Sequence, residues 1–229
     1  MIDGIRFKVC GLTSLVDAEF ADRAGADYLG FILYPKSPRY VTLAQYRAMF
    51  ERLPTGRRTV AVMVEPTDAE LAAAQESGFD AYQIHFRHDH PYERIQLWSR
   101  LLSSKKLWLA PRLPPEIDVD PKWLPLAGTV LLDTFHASGF GGSGMTGDWE
   151  KFQRHQASHT QTKWILAGGL SPDNVGEALR ASAARCVDVN SGVELAPGIK
   201  DHAKIRALAV AIHRERTREQ PAAAPSVSP

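Results

Sequence analysis

One cysteine stands where its chemistry could be used. The stretch from Arg6 to Thr13 reads RFKVCGLT, an apolar run that breaks at Gly11, directly after Cys10. Ser14 indicates the start of a helix, and a thiol just ahead of a helix N-terminus can have a pKa lowered from about 8.5 toward neutrality. A thiolate that forms near neutral pH is a competent general base. Cys10 is therefore a candidate base, with an ordinary buried apolar thiol as the alternative.

A carboxyl group and a guanidinium group also stand at the end of an apolar run or in the segment that follows one. Asp133 closes the apolar run TVLLDT, residues 129–134. If burial raises its pKa, this carboxyl group can serve as a general acid. Arg39, at the end of the segment YPKSPR, is free to bind a carboxylate, although a solvated loop charge fits its position nearly as well. The thiol and the carboxyl group together predict proton transfers on a small substrate.

Glycine-rich turns after two further apolar runs have the composition of a phosphate site. Gly168 and Gly169 end the run KWILAGG, and Ser191 and Gly192 follow the run RCVDVN. Glycines let backbone N–H groups point at one spot without side chains in the way. Tight turns that merely need glycine are the alternative. The presence of both turns favours a phosphorylated small-molecule substrate.

Two other motifs carry weaker signals. The histidine-rich segment HFRHDH, residues 85–90, could chelate a metal, but only His85 stands at the end of an apolar run, so we expect no metal. The loop after Asp133 contains the spacing G-x-G-x-x-G at residues 139–144. These glycines lie too far beyond the strand for a dinucleotide site and fit a mobile loop that closes over substrate. We therefore expect no cofactor.

A repeating pattern of apolar runs and Ala/Leu-rich helical stretches must position these residues. The runs occupy residues 6–10, 28–33, 59–64, 81–85, 106–111, 129–134, 163–169 and 185–191. Several are nearly continuously apolar, as is typical of strands covered on both faces. Capping-box spacing marks helix starts at Thr42 with Gln45 and at Thr67 with Glu70.

Eight strand–helix units predict a (β/α)8 barrel of the α/β class, formed by one domain over residues 1–213. A doubly wound open sheet is the alternative, but it has no switch point that can be placed here. The fifth unit, PPEIDVDPKWLPLA, holds a short or irregular helix at most, and Ser171 before Pro172 predicts the start of a later one. Residues 214–229 are charged and then rich in Pro, Ala and Ser, which predicts a disordered tail. In such a barrel the active site lies at the carboxyl ends of the strands.

Composition narrows the classes of function. The 229 residues are 44% hydrophobic with a formal net charge of +1, so no nucleic-acid partner is expected. No apolar run approaches the roughly 20 residues of a membrane span, and no signal peptide opens the chain, so no membrane partner is expected. Cys10 and Cys186 are expected at opposite ends of the barrel, too far apart for a disulfide. These features predict a cytoplasmic protein. We expect a monomer or a homodimer, between which the sequence does not choose.

An ordered set of motifs covers nearly the whole chain. In order they are KVCGLT, GADYLGF, SPR, LLD, GGSG, AGGLSPDNV, DVNSGVE and PGIKD, at residues 8–13, 25–31, 37–39, 131–133, 141–144, 167–175, 188–194 and 197–201. Each motif alone is a weak signal, but the set resembles phosphoribosylanthranilate isomerase, the Amadori-rearrangement enzyme of tryptophan biosynthesis.

The resemblance implies a role for each candidate residue. Cys10 would be the general base, Asp133 the general acid and Arg39 the partner of the anthranilate carboxylate. The phosphate site would be lined by Gly168, Gly169, Ser191 and Gly192. The other residues that the resemblance implies in substrate binding are His85, Gly142, Gly144 and Asp188. The family needs no metal or cofactor.

Two departures from the family pattern concern substrate contacts. After its fourth strand the family usually reads Q-L-H-G-x-E, where this chain has QIHFRH at residues 83–88. In the glycine-rich loop, Met145 and Gly147 replace the usual lysine and phenylalanine. These changes bear on affinity or specificity more than on the reaction class. Two alternatives stay open: a metal-dependent phosphosugar isomerase, epimerase or aldolase on the same barrel, and a sugar-phosphate-binding protein without catalytic activity.

Overall fold

Eight parallel strands close into a barrel in the computed structural model, which describes residues 1–2, 4–53, 55–133 and 148–219. The strands are β1 (Arg6–Val9), β2 (Tyr28–Ile32), β3 (Thr59–Val64), β4 (Ala81–Arg87), β5 (Leu107–Arg112), β6 (Thr129–Leu132), β7 (Lys163–Leu166) and β8 (Cys186–Val189). Each strand pairs with its neighbour in chain order, and β8 pairs with β1. The predicted (β/α)8 barrel is confirmed.

Helices follow most of the strands. They are α1 (Leu15–Arg23), α2 (Leu43–Phe50), α3 (Asp68–Gln75), α4 (Tyr92–Leu102), α5 (Trp149–Ser158), α6 (Val175–Ser182) and α7 (His202–Glu219). The proline-rich fifth unit forms a 3₁₀ helix, Pro121–Leu126, as its composition predicted. After β8 come a 3₁₀ turn, Ser191–Val193, and a short antiparallel hairpin of β9 (Glu194–Ala196) and β10 (Ile199–Lys200).

Side-chain caps fix where several helices begin. Thr42 with Gln45 and Thr67 with Glu70 form complete capping boxes at the starts of α2 and α3, as predicted. The predicted helix start at Pro172 is wrong, because α6 begins at Val175 after a turn.

The asparagine before α6 explains that turn. The Oδ1 of Asn174 accepts a hydrogen bond from the backbone of Ser171 at 2.8 Å, and its Nδ2 donates to the carbonyl of Gly169 at 2.9 Å. These two bonds hold the residues before Val175 in a turn, so the helix starts later than proline placement predicts.

The last helix extends past the predicted end of the domain. α7 continues to Glu219, beyond residue 213. The residues just beyond 213 are mostly Arg and Glu, which have high helix propensity. Residues 214–219, which the prediction assigned to the tail, are therefore helical. The extent of the domain and the disorder of the tail stay predictions, and residues 220–229 lie outside the described part of the chain.

The packed interior consists of two layers. Apolar side chains fill the space between the strands and the surrounding helices, and a second cluster fills the barrel itself with Val60, Trp108, Leu131 and Ile165 among its members. Cys10 belongs to this inner cluster. Within the part of the chain that the structure describes, no helix has the length and apolar character that crossing a bilayer requires.

Candidate active site

A cavity opens where the carboxyl ends of the strands meet. The predicted site residues that line it are Cys10, Arg39, His85, Asp133, Gly168, Gly169, Asp188 and Ser191. The barrel thus brings together side chains from β1, β2, β4, β6, β7 and β8 or the loops that follow them. Gly192 does not line the cavity, and Gly142 and Gly144 lie outside the described residues, as do Met145 and Gly147.

Glycines let the loops after β7 and β8 approach one another. Gly168 and Gly169 have φ of 95° and 62°, in the left-handed region that favours glycine. A Cβ on Gly192 would overlap the carbonyl group of Leu170, so a side chain there would push the two loops apart. Backbone geometry alone accounts for these glycines. Phosphate binding by the two loops therefore stays a prediction.

Cys10 follows β1 and is almost completely buried, with 4% of its surface exposed. Its backbone N–H donates to the carbonyl of Val189 at 2.8 Å, which keeps it in line with β8. Burial raises the pKa of the Cys10 thiol, and the nearby ammonium of Lys8 opposes this rise. The expectation that the pKa of Cys10 falls toward neutrality is therefore wrong, because the cost of dehydrating a thiolate outweighs the favourable charges.

A buried ion pair lies beneath the cysteine, and sequence reasoning assigned no role to its lysine. The ammonium of Lys8 donates to both carboxylate oxygens of Asp188, at 3.0 and 2.9 Å. Burial disfavours the ammonium, but Asp188 and Cys10 together raise the pKa of Lys8, so this lysine is protonated at neutral pH. The sequence signal that could have pointed to Lys8 is its spacing, because it stands two residues before Cys10, on the same face of a buried strand.

His85 contributes a neutral imidazole to the cavity. Its Nε2 lies 2.8 Å from the Nε2 of Gln83. Burial and the positive charge of Lys8 lower the pKa of His85 to about 4, so the ring is uncharged at neutral pH. It can exchange hydrogen bonds with a substrate but does not attract an anion as a cation would.

Phe86, next to His85, departs from the family pattern, and its side chain packs between the barrel and the helices. Phe86 is fully buried and makes edge contacts with Trp98 and Trp123, at ring-centre distances of 5.8 and 5.3 Å. Alternation along β4 turns Phe86 away from the barrel interior while His85 faces the cavity. This substitution therefore changes the contact between barrel and helices rather than the lining of the site.

Arg39 is buried and already paired, contrary to the prediction that it is free. Its Nε donates to Glu194 at 2.9 Å and its Nη2 donates to the other carboxylate oxygen at 2.7 Å. Lys200 donates to the same carboxylate at 2.8 Å. Burial disfavours ionisation of Glu194, but Arg39 and Lys200 hold its pKa below the ordinary value. The sequence could not reveal this contact, because the β9–β10 hairpin that carries Glu194 folds back over the barrel mouth.

The histidine-rich segment does not gather its side chains at one point. His85 faces the cavity, His88 is exposed, and His90 stacks on Trp98 with ring centres 5.0 Å apart. Among the described residues, no three His, Cys, Asp or Glu side chains are placed to hold a metal ion. Both cysteines are free thiols, as predicted.

Asp133 stands directly after β6, half-buried, and lines the same cavity as Cys10. β1 and β6 are not neighbours in the barrel, so the carboxyl group and the thiol approach the cavity from different directions. A substrate bound between them can give a proton on one side and receive one on the other. A parallel (β/α)8 barrel with such an acid, a thiol and a buried arginine at the carboxyl ends of its strands defines a barrel enzyme.

Comparison with known proteins identifies the kind of barrel enzyme. Residues 7–211 match the family model described as N-(5'-phosphoribosyl)anthranilate (PRA) isomerase. The N-(5'-phosphoribosyl)anthranilate isomerase of Cellvibrio japonicus is 39% identical over 208 residues, covering 88% of this chain and 90% of that protein. The chain belongs to the N-(5'-phosphoribosyl)anthranilate isomerase family.

Solved structures agree with this assignment. The phosphoribosylanthranilate isomerase of Thermus thermophilus has 32% identity and a TM-score of 0.76, with 92% of this chain and 99% of that one covered. A second phosphoribosylanthranilate isomerase was solved in complex with reduced 1-(o-carboxyphenylamino)-1-deoxyribulose 5-phosphate. It has 30% identity and a TM-score of 0.68, with 90% of this chain and 96% of that one covered.

Proposed function

We propose that this chain converts N-(5'-phosphoribosyl)anthranilate to 1-(2-carboxyphenylamino)-1-deoxyribulose 5-phosphate, an Amadori rearrangement in tryptophan biosynthesis. The observation that carries the proposal is the shared cavity of Cys10 and Asp133, bordered by the loops after β7 and β8. The substrate follows from membership of the family. The two residues take the roles of general base and general acid.

The first chemical step is ring opening. Asp133 protonates the ring oxygen of the ribose, the bond between that oxygen and C1 breaks, and the nitrogen lone pair forms an iminium. This role requires Asp133 to carry a proton when substrate binds.

The second step moves a proton away from C2 of the sugar. The iminium acidifies the C2 hydrogen, and the Cys10 thiolate removes it to give an enolamine. The enolamine then gains a proton at C1 while its C2 hydroxyl group loses one, and the product is the ketose. General acid and general base catalysis typically contribute about 10² to 10⁴-fold each. A thiol with a raised pKa can serve here because the iminium supplies positive charge when the base is needed.

Binding groups at the rim hold the two ends of the substrate. The substrate phosphate binds at Gly168, Gly169 and Ser191, which line the cavity, and Gly192 keeps the two loops close together. Arg39 offers its Nη1 to the anthranilate carboxylate, since Glu194 takes its Nε and Nη2. The uncharged His85 and the carboxylate of Asp188 face the sugar.

The decisive assay follows the loss of fluorescence of freshly made phosphoribosylanthranilate with the purified chain, with and without a chelator. We expect conversion at the same rate in both conditions. Activity lost on chelation would favour the metal-dependent phosphosugar enzyme, and binding without conversion would favour the sugar-phosphate-binding protein. The cytoplasmic location and the monomeric or homodimeric state stay predictions.

A further inference from the structure

The floor of the cavity carries an ion pair whose lysine has no part in the proposed mechanism. Lys8 is completely buried, and its ammonium contacts both carboxylate oxygens of Asp188 on the neighbouring strand. A buried ion pair costs several kcal/mol of dehydration per ion, and apolar side chains of similar volume often fill such a place at no loss of stability. Stability alone therefore gives a weak reason for this pair inside a barrel.

A glycine on the next strand makes room for the lysine. A Cβ on Gly30 would lie 2.8 Å from Cε and 2.9 Å from Nζ of Lys8, and 3.1 Å from Cα of Cys10. No side chain fits there unless the lysine moves. The ammonium is thus held on two sides, by the carboxylate of Asp188 and by the bare backbone of β2.

Lys8 lies on β1 and Cys10 directly follows the strand, two residues later, so both side chains extend from the same face. Asp188 is paired with Lys8 in register. Nζ of Lys8 and Cα of Cys10 lie 2.9 and 3.1 Å from the same point, the place that a Cβ on Gly30 would take, so the ammonium lies beside Cys10. Lys8 opposes the rise that burial causes in the pKa of the thiol, and Asp188 adds to that rise.

We propose that Lys8 is a positioning residue for proton abstraction: its ammonium, fixed by Asp188 and Gly30, stabilises the thiolate of Cys10. This inference rests on the proposed role of Cys10 as general base. The other charged or titratable groups near the thiol are Lys200 from β10 and, around the same cavity, Arg39, His85 and Asp133. Lys200 and Arg39 are both paired with the carboxylate of Glu194.

The test is a pH titration of the Cys10 thiolate, followed by its ultraviolet absorbance. The chain has two cysteines, so a C186S background leaves Cys10 as the one thiol. Two variants remove or displace the cation: K8M/D188N, which deletes the pair with its charge balance kept, and G30A, whose Cβ crowds Lys8. Lys163→Met, an exposed lysine at the start of β7, is the matched control.

In K8M/D188N we expect the midpoint of the Cys10 titration to rise by about one pH unit or more, equivalent to a tenfold loss of thiolate below the midpoint. G30A should shift it in the same direction by less, and K163M should not shift it. An unchanged midpoint in a folded K8M/D188N protein would overturn the proposal. If that variant does not fold, an unchanged midpoint in G30A would overturn it equally.

Turnover in the same proteins separates this inference from the proposed function. If the thiolate midpoint rises while turnover below it does not fall, Lys8 controls the thiol as proposed but Cys10 is not the base. If the midpoint stays unchanged while C10A abolishes turnover, Cys10 is the base but Lys8 does not tune it.

Discussion

The two cysteines of this chain lie at opposite ends of one barrel and have different surroundings. Cys186 begins β8 at the amino ends of the strands, where burial raises its pKa to about 12 and the carboxylates of Asp188 and Asp27 add to the effect. Cys10 follows β1 at the carboxyl ends, where burial and Asp188 also raise the pKa but Lys8 and Lys200 oppose the rise. The two thiols therefore differ in the cavity that Cys10 lines and in the charges around them, rather than in burial alone.

The largest expected difference between the two cysteines is the effect of replacing each one on turnover. Replacing Cys10 with Ala should reduce kcat by about 10² to 10⁴-fold, because the general base is lost. Replacing Cys186 with Ala should leave kcat within about twofold of wild type. The fluorescence assay measures both. Near-normal turnover in C10A, or an equal loss in C186A, would remove the distinction between the two thiols.

A second variant disrupts the ion pairs of Glu194 at the carboxyl ends of the strands and leaves both cysteines in place. Glu194→Gln removes the charge that pairs with Arg39 and Lys200, so Arg39 loses its fixed orientation. We expect kcat/KM to fall by about 10- to 100-fold, the range for hydrogen bonds to charged groups of roughly 1.5–3 kcal/mol, chiefly through KM. Glu76→Gln, an exposed residue after α3, is the control. A wild-type KM in E194Q would show that Arg39 does not depend on Glu194.

The same glutamate predicts a pH dependence of stability. A carboxyl group whose folded-state pKa is lowered stabilises the fold above its ordinary pKa, and this stabilisation is lost as pH falls through the lowered value. The difference in unfolding free energy between wild type and E194Q should therefore shrink below about pH 4.3. Urea denaturation across acidic pH measures it. A difference that stays constant with pH would contradict the ion pair.

The smallest expected effect is on stability alone. Thr67→Ala removes the cap of α3, where Glu70 donates its backbone N–H to the Thr67 hydroxyl at 3.3 Å. We expect a loss of about 1 kcal/mol in unfolding free energy with no change in kcat, because α3 contributes no cavity side chain. Thr160→Ala, an exposed turn residue, serves as control. A changed kcat in T67A would show that α3 is coupled to the site.

Local signals were sufficient for the architecture and for several of the residues that line the cavity. Apolar runs, several of them nearly continuous, marked the strands, and the rule that barrel sites lie at carboxyl ends led us to expect Cys10, Asp133 and His85 around one cavity, which they line. The capping boxes at Thr42 and Thr67 were equally readable, because the residues involved are three apart.

The sequence could not predict long-range contacts or how completely each site residue is buried. Glu194 meets Arg39 only because the hairpin after β8 returns to the barrel mouth, and no local spacing encodes that contact. The pKa of Cys10 depends on how completely the barrel excludes water, which a motif does not report. Lys8 was visible in the first motif, but its pairing required the register of β1 with β8.

The central claim is that Cys10 and Asp133 perform the chemistry rather than bind the substrate. The most direct measurement compares kcat with the dissociation constant of the reduced product analogue, 1-(o-carboxyphenylamino)-1-deoxyribulose 5-phosphate, in wild type and Asp133→Asn. We predict that kcat falls by about 10² to 10⁴-fold while the dissociation constant stays within a few-fold. A near-wild-type kcat, or a loss matched by weaker binding, would contradict the account.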